Sequence, residues 1–443
     1  MDLALPGRFF PRQRPTDGRV GQRVDKADRN AAWRKTYFRP LPGCNWWNGD
    51  LNGHRENFHT IRQPPMTDGT LTGGVLITIH RLSHGGADRV AMHLANGFAR
   101  VGIPVGISIL RSGGEGEQSL LDLLDQEVRV GDAGRPLGSR HLELVRGGRY
   151  LRQVVAIARP SVVLASSNNM GLITGLSSHR QTGAKRPAYV MKTTNPVIRP
   201  EDRSRLRKIY RRRLYGHVFS NFDQVLTLSA EERDSLAQMY PQQREKFRVA
   251  INPYVTPEML SEYDRPARSG PATILTLARM MPQKRLDILL AAFARVRHTD
   301  CRLIILGDGP ERSRLEGLAQ GLGIADRVSM PGFVEDAVPW FRKADLFALS
   351  SDYEGLPAVV LEALACNVPV VTTDSFDAAK SLIANASRCA VVPRGDVDAL
   401  ARAIERSLEA RADGDLRPIA QGYGFEEAFG SHLDALRPLL RSN

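Results

Sequence analysis

Short runs of β-branched residues alternate with amphipathic helical stretches along most of this chain, from Gly74 onward. The alternation starts afresh at Thr273, so the same pattern occurs twice. In the first helical stretch, apolar residues recur with the spacing of one helix face, namely Ala87, Val90, Ala91, Leu94, Ala95, Phe98 and Ala99. Strands that alternate with helices are typical of parallel sheets. The pattern therefore predicts an α/β protein with two doubly wound, Rossmann-like domains.

The domain boundaries follow from where this pattern begins, pauses and changes. Residues 1–70 show neither period and are predicted to form a disordered basic extension. We assign residues 71–262 to the first domain, residues 263–418 to the second, and residues 419–443 to a helix that crosses back onto the first. The predicted strands cover residues 75–79, 105–110, 162–165, 188–191 and 225–228 in the first domain, and 273–277, 303–306, 346–349 and 368–372 in the second.

Composition and charge narrow the class of protein. A chain of 443 residues with 42% hydrophobic and 25% charged residues fits globular domains. Because it lacks both a spanning apolar run of about 18 residues and a signal peptide, we expect a cytoplasmic protein. Most of the net charge of +13 lies in residues 1–65, which hold twelve Lys or Arg against six Asp or Glu, and in residues 201–214, with seven against two. Residues 1–65 are either an arm for nucleic acid or membrane, or a dispensable extension. Since they carry no recognised binding motif, no nucleic-acid partner is predicted.

Ligands of open parallel sheets bind where the strands end, so the turns after the strands carry the functional signal. Gly85 and Gly86 follow the first strand and lead into a helix, whose N-terminal N–H groups suit a phosphate. Paired glycines are also found in any tight turn that needs positive φ. The glycines of Gly307-Asp308-Gly309 are interpreted as such a structural turn.

Two cations follow the first strand of the second domain. Arg279 stands at the strand end and Lys284 lies five residues later, just before a helix. A guanidinium fork and a compact ammonium group together suit a diphosphate, although a solvated basic loop would have the same composition.

Two carboxylates lie near a later strand end of the same domain. Glu354 lies in a loop, and Glu362 lies within an otherwise apolar helix that follows Pro357, the predicted first helical residue. A buried carboxylate needs a partner, which is a ribose diol in many nucleotide-binding folds and a salt bridge in others.

These residues, together with Gly307-Asp308-Gly309-Pro310 and Pro331-Gly332-Phe333, resemble glycosyltransferase family 4 of the GT-B fold, whose E-x7-E arrangement Glu354 and Glu362 match. The resemblance extends from Gly74 to the C-terminus. It implies two Rossmann-like domains that face each other across a cleft, with the nucleotide-sugar donor held by the second and the acceptor mainly by the first. It also implies net retention at the transferred carbon, no metal ion, and no cofactor besides the donor, which is a substrate.

The resemblance assigns a role to each matched residue. Arg279, Lys284 and Glu354 form the catalytic group: the two cations neutralise the diphosphate, and Glu354 contacts the transferred sugar. Glu362 holds the ribose. The remaining donor-binding residues are Gly355, Leu356, Gly85, Gly86, Pro331, Gly332 and Phe333. Preorganised cations and N–H donors stabilise a departing diphosphate, so no protein nucleophile is required.

The chain departs from the family pattern at three places. Ser375–Lys380 replaces a glycine-bearing loop, and Asn367 replaces a glycine. Asn195 belongs to a segment where many relatives have a histidine, so we assign no catalytic histidine and name Asn195 as the acceptor-side candidate.

A basic helix is predicted between residues 203 and 218. Its basic residues are Arg203, Arg207, Lys208, Arg211 and Arg212, beside an apolar face. We interpret it either as a solvated face or as a surface that docks on anionic lipid at the inner face of the cell membrane.

The sequence therefore predicts a retaining glycosyltransferase of the hexosyltransferase type. It would act on a lipid-linked or polysaccharide acceptor in exopolysaccharide or lipopolysaccharide biosynthesis. The alternatives are a sugar-nucleotide epimerase of the same fold and, outside enzymes, a basic nucleic-acid-binding protein.

Overall fold

The computed structural model describes residues 71–82, 86–111, 117–133, 140–178, 186–198, 204–263, 270–297, 300–410 and 414–440. All of them belong to one compact unit, Asn52–Asn443. The predicted extension lies outside the described residues, and so do residues 264–269 at the predicted boundary between the domains. The domain boundaries named above therefore stay predictions.

The first sheet is parallel, with the strand order β3-β2-β1-β4-β5-β6-β7. Its strands are β1 (Val75–Arg81), β2 (Val105–Arg111), β3 (Arg129–Asp132), β4 (Val162–Ala165), β5 (Ala188–Lys192), β6 (Gln224–Thr227) and β7 (Phe247–Val249). The helices among and after them are α1 (Gly86–Arg100), α2 (Glu117–Leu121), α3 (Arg140–Ala158), α4 (Asn168–Ser178), α5 (Arg205–Ser220), α6 (Ala230–Met239) and α7 (Pro257–Leu260).

The second sheet is also parallel, with the order β10-β9-β8-β11-β12-β13. Its strands are β8 (Ala272–Leu277), β9 (Cys301–Leu306), β10 (Val328–Gly332), β11 (Leu346–Leu349), β12 (Val370–Thr373) and β13 (Ala390–Val392). Its helices are α8 (Leu286–Phe293), α9 (Arg312–Gly321), α10 (Val338–Lys343), α11 (Ala358–Ala365), α12 (Ala379–Leu382) and α13 (Val397–Glu409), followed by α14 (Arg417–Gln421) and α15 (Phe425–Leu436). The predicted fold class, with two Rossmann-like parallel sheets, is confirmed.

The sequence pattern missed four strands, β3, β7, β10 and β13. These four are the edge strands of the two sheets. Edge strands bury only part of their surface, so they lack the long apolar run that marks a central strand. The central strands β1 and β11 are buried almost throughout.

Helix α15 packs against α1 of the first domain. The rings of Phe98 and Phe429 lie 5.3 Å apart, and Phe429 covers Gly97, where a Cβ atom would collide with the ring. Aromatic pairs at this distance add about 0.5–1.5 kcal/mol beyond their buried area. The C-terminal helix is therefore held on the first domain.

Candidate active site

Glu354 lies in the loop after β11 and forms an ion pair with Lys284. The Lys284 Nζ atom lies 2.6 Å from Glu354 Oε1, and the Ser351 hydroxyl donates to the same oxygen at 2.6 Å. The Glu354 side chain is only 9% exposed and that of Lys284 17%. The structure thus joins two of the three residues predicted to be catalytic.

Hydrogen bonds to backbone carbonyls hold the segments that carry this ion pair. The Ser350 hydroxyl donates to the Lys284 carbonyl at 2.9 Å, and the Gln283 amide donates to the Tyr353 carbonyl at 2.6 Å. The Glu354 N–H donates to the Ser375 carbonyl at 2.7 Å. Because these bonds connect the turns after β8, β11 and β12, the carboxylate is preorganised at the carboxyl edge of the second sheet.

Arg279 follows β8 and is exposed. Its two neighbours in the chain lie under the glycines of the next turn: a Cβ atom on Gly307 would collide with the Ala278 carbonyl, and one on Gly309 with that of Met280. Gly307 also has a φ of +110°. This close approach of two turns explains the glycines by sterics and matches the structural interpretation.

Glu362 lies on α11, which begins at Ala358. Pro357 is therefore the residue that precedes the helix, with ψ near 115°, and not its first helical residue as predicted. Burial raises the pKa of Glu362 to about 7, while the charge of Arg89 from α1 acts in the opposite direction. The first turns of α1 thus lie near the carboxylate that was predicted to hold the ribose.

The other predicted donor-binding residues are spread along the edge of the second sheet and the start of α1. Gly85 lies outside the described residues, whereas Gly86 is the exposed first residue of α1. Pro331 and Gly332 end the edge strand β10, where the Gly307 N–H donates to the Gly332 carbonyl at 2.8 Å. Phe333 follows with 58% of its surface exposed.

Loops of the two domains meet at Gly355. A Cβ atom on Gly355 would collide with the Thr194 carbonyl oxygen and lie 3.1 Å from a Leu228 methyl group, and both of these residues belong to the first domain. Asn168 fixes the facing loop, because its Oδ1 accepts from the Thr194 N–H at 2.7 Å and its amide donates to the Asn195 carbonyl at 2.9 Å. Asn195 therefore lies in the loop that contacts the Glu354 segment.

A cavity opens beside this contact, which we call the cleft cavity. Together with its open mouth it has a volume of roughly 590 Å³. The second domain contributes Glu354, Gly355, Leu356 and Asp377, and the first domain contributes the loop after β5, the turn after β6 and one face of α6.

The basic helix is α5, and its five predicted membrane-facing residues have different environments. Arg203 lies outside the described residues, and Arg207 and Lys208 are exposed. Arg211 Nε donates to the Val197 carbonyl at 2.9 Å, and Arg212 donates to the Met239 carbonyl at 3.0 Å. These two bonds attach α5 to residues that line the cleft cavity. The apolar side chains near the helix start are exposed, with Leu206 at 77%, Tyr210 at 66% and Ile209 at 43%.

Several residues at the site were not predicted from the sequence. Ser351 and Asn168 each follow a strand within a few residues, and that position was a usable signal. Glu232 lines the cleft cavity from α6 of the first domain, and Asp377 lines it from the loop after β12 of the second. No sequence spacing connects those two, because they are 145 positions apart in the chain.

No helix among the described residues is long and apolar enough to span a membrane. Likewise, the described part of the chain contains no group of three or more His, Cys, Asp or Glu side chains that could hold a metal ion. Metal-independent transfer stays a prediction.

Two facing Rossmann-like sheets with a polar site between their carboxyl edges define the GT-B architecture of glycosyltransferases. The solved structure of Anabaena HepE in complex with UDP and glucose has this fold: it matches with a TM-score of 0.64 and 19% identity over 82% of this chain and 99% of that one. The family model described as glycosyl transferases group 1 matches residues 262–423, and the model described as glycosyltransferase family 4 matches residues 84–256. The chain therefore carries both glycosyltransferase domains.

Curated relatives match over shorter stretches. A lipopolysaccharide core biosynthesis glycosyltransferase, LpsE of Rhizobium meliloti, is 34% identical over 38% of this chain and 48% of its own length. An exopolysaccharide phosphotransferase of Streptomyces coelicolor is 38% identical over 40% of this chain but only 18% of its own length. The chain thus matches less than half the length of these two relatives.

Proposed function

We propose that this protein is a retaining glycosyltransferase that moves a sugar from a nucleotide-sugar donor to an acceptor hydroxyl, in the synthesis of an exopolysaccharide or lipopolysaccharide. The observation that supports it most is the Lys284–Glu354–Ser351 cluster, which lies where the carboxyl edge of the second sheet meets the Thr194 loop of the first. LpsE, whose name states a role in lipopolysaccharide core synthesis, supports the pathway.

In this proposal the second domain binds the donor. Arg279 and Lys284 neutralise the diphosphate, and the ribose hydroxyls donate to Glu362. The Gly355 and Leu356 N–H groups stabilise the charge that develops on the leaving phosphate. Glu354 then orients the transferred sugar at the edge of the cleft cavity, and the leaving phosphate accepts the proton of the acceptor hydroxyl on the same face of the sugar.

The structure of α5 favours a lipid-linked acceptor in this scheme. Exposed apolar residues and the exposed basic Arg207 and Lys208 occupy its first turns, while Arg211 and Arg212 attach it to the wall of the cleft cavity. Each basic residue near an anionic lipid surface adds about 1 kcal/mol to docking. A helix docked there would bring the cavity close to headgroups at the inner face of the membrane.

A donor panel tests the proposal. Purified protein is incubated with UDP-, GDP- and ADP-sugars, and release of the nucleoside diphosphate is measured with and without octyl glycosides as acceptors. We expect acceptor-dependent release from one donor class, and an NMR coupling constant that shows retained anomeric configuration. Release of no nucleoside diphosphate from any donor, together with failure to bind nucleoside diphosphates, would contradict the proposal.

A further inference from the structure

The charge of the cleft cavity is a feature that the donor site does not explain. Three carboxylates line it: Glu354 and Asp377 from the second domain and Glu232 from the first. None of the described residues that line the cavity is Lys, Arg or His, although Lys284 pairs with Glu354 and the charge of Arg394 acts on Asp377. Arg211 and Arg212 donate to the backbone carbonyls of Val197 and Met239 in the wall. A protein with a net charge of +13 thus has an acidic cavity beside its candidate catalytic loop.

Glu354 differs from the other two carboxylates because Lys284 balances its charge. Glu232 accepts from the Leu228 N–H at 2.7 Å and from the Thr193 hydroxyl, which are neutral donors. Asp377, which is exposed at the cavity, accepts from the hydroxyl of Ser235, another lining residue. The negative charge of the cavity therefore comes mainly from Glu232 and Asp377.

Part of the cavity lining is apolar. It includes Val197, Ile198, Leu236 and Met239, all of which belong to the first domain. A cavity lined by both carboxylate oxygens and carbon side chains suits a ligand that has both hydroxyls and a hydrocarbon surface. A sugar ring or an alkyl glycoside has both.

We infer that the cleft cavity is the acceptor pocket and that Glu232 and Asp377 make it select acceptors whose reacting unit is uncharged. Hydroxyls of such a unit donate to the two carboxylates, whereas a carboxylate or phosphate on the acceptor meets like charge in a cavity whose described lining residues include no cation. This inference rests on the proposed function, because it names the acceptor of that reaction.

The electrostatics of the cavity support the inference. Burial and, to a smaller extent, the charge of Asp377 raise the pKa of Glu232 to about 7, although the Leu228 N–H and the Thr193 hydroxyl act in the opposite direction. A raised pKa means that the surroundings disfavour the ionised carboxylate. The same surroundings are therefore unfavourable to a further anion.

Glu232 also has a structural role that the test must separate from acceptor selection. Its N–H donates to the Ser229 hydroxyl at 3.1 Å at the start of α6, and its carboxylate accepts from the backbone before that helix. A residue that only capped the helix would affect stability without changing the choice of acceptor.

The experiment compares two matched acceptors, octyl glucoside and octyl glucuronide, which differ in one carboxylate. Binding to the protein saturated with its nucleoside diphosphate is measured by calorimetry at pH 8. We expect the glucuronide to bind at least about tenfold more weakly, since like charges brought together cost several kcal/mol and each 1.4 kcal/mol is tenfold. In Asp377→Asn and in Glu232→Gln the difference between the acceptors should shrink.

The matched control is Asp374→Asn. Asp374 lies three residues before Asp377, pairs with Lys380 at 3.0 Å and does not line the cavity, so its loss should leave the ratio nearly unchanged. Nucleoside diphosphate affinity reports whether each variant is folded, and thermal unfolding reports the cap of α6.

Each other outcome has a definite meaning. Equal or tighter binding of the glucuronide overturns the charge selection, and binding of neither glycoside overturns the assignment of the cavity. A change in stability without a change in the ratio leaves Glu232 as a helix cap and overturns its role in selection. If nucleoside diphosphates do not bind to the wild-type protein, the proposed function itself has failed.

Discussion

Lys284 and Glu354 form a largely buried ion pair with 2.6 Å between Nζ and Oε1, although they are 70 positions apart in the chain. The pair links the turn after β8 to the loop after β11. Each residue therefore holds the other in position before any donor arrives. In the proposed reaction, the incoming diphosphate would compete with Glu354 for the ammonium group.

Lys284→Ala should reduce sugar transfer by at least about 100-fold, the usual order for loss of one preorganised donor to a developing charge. The same change leaves Glu354 without its cation, which costs about 3–5 kcal/mol for a buried pair. Steady-state kinetics and thermal unfolding measure both effects. Lys343→Ala, an exposed lysine on α10, is the control and should change neither. Near-normal transfer by Lys284→Ala would remove Lys284 from the catalytic group.

Glu362 predicts how donor binding depends on pH. Burial raises the pKa of its carboxyl group to about 7, so the group is protonated in the unliganded protein below that pH. Ribose hydroxyls donate to the carboxylate form. Affinity for the nucleoside diphosphate should therefore fall as pH drops from 7 to 5, by up to about tenfold per unit.

Calorimetry of wild-type protein and Glu362→Gln separates this dependence from the titration of the diphosphate, which both proteins share. The variant should bind more weakly at pH 8 and show a flatter profile below pH 7. Identical profiles for the two proteins would contradict the assignment of the ribose to Glu362.

The sequence was sufficient for the fold class because central strands and amphipathic helices carry period-based signals. The turns after the strands also pointed to Lys284 and Glu354 separately. The sequence could not show that Lys284 and Glu354 pair with each other, because that contact depends on how the turns after β8 and β11 approach each other at the edge of the sheet. The same limit applies to Glu232 and Asp377, which only the meeting of two domains brings to one cavity.

The basic helix α5 shows a different limit of prediction from the sequence. Helical spacing placed Arg207, Lys208, Arg211 and Arg212 on one amphipathic segment, but spacing does not reveal which guanidinium groups bond to neighbouring backbone. Arg211 and Arg212 do so, although Arg212 is itself exposed like Arg207 and Lys208, and only the structure reveals these bonds.

Replacing Arg207 and Lys208 together by alanine should weaken sedimentation with anionic liposomes by roughly 30-fold, because two basic residues contribute about 2 kcal/mol. Arg402→Ala with Arg406→Ala, two exposed arginines on α13, removes the same charge from the other domain and should have little effect. Vesicles of neutral lipid measure the apolar contribution alone. If wild-type protein binds neutral and anionic vesicles equally, electrostatic docking through α5 is wrong.

Lys192 predicts a stability change that is independent of the reaction. Its ammonium group is buried at the end of β5 against His432 of α15, and burial lowers its pKa to about 7. Because the unfolded chain binds the proton up to a pH near 10, wild-type stability should rise with pH above 7, by up to about 1.4 kcal/mol per unit.

Lys192→Met keeps the length of the side chain and removes the charge. Denaturant unfolding should show a variant that is more stable at pH 7, by roughly 1–4 kcal/mol, and an advantage that shrinks between pH 7 and 8.5. A constant difference across this range would mean that Lys192 does not titrate there.

Gly355→Ala tests whether the domain contact at the Glu354 loop matters for transfer. The backbone of Gly355 does not require glycine, since its φ is not positive, but the added Cβ atom would collide with the Thr194 carbonyl. The added methyl group should therefore keep the two domains slightly farther apart than in the wild-type protein, by a fraction of its own size. Misplacement of reacting groups by about 1 Å can cost about 100-fold in rate, so transfer should fall strongly while the nucleoside diphosphate still binds.

The control is Gly317→Ala on α9, where nothing lies within 4 Å of the added atom. Its activity should be unchanged and the helix slightly more stable. Full activity of Gly355→Ala would show that the closed contact with Thr194 is not needed for transfer.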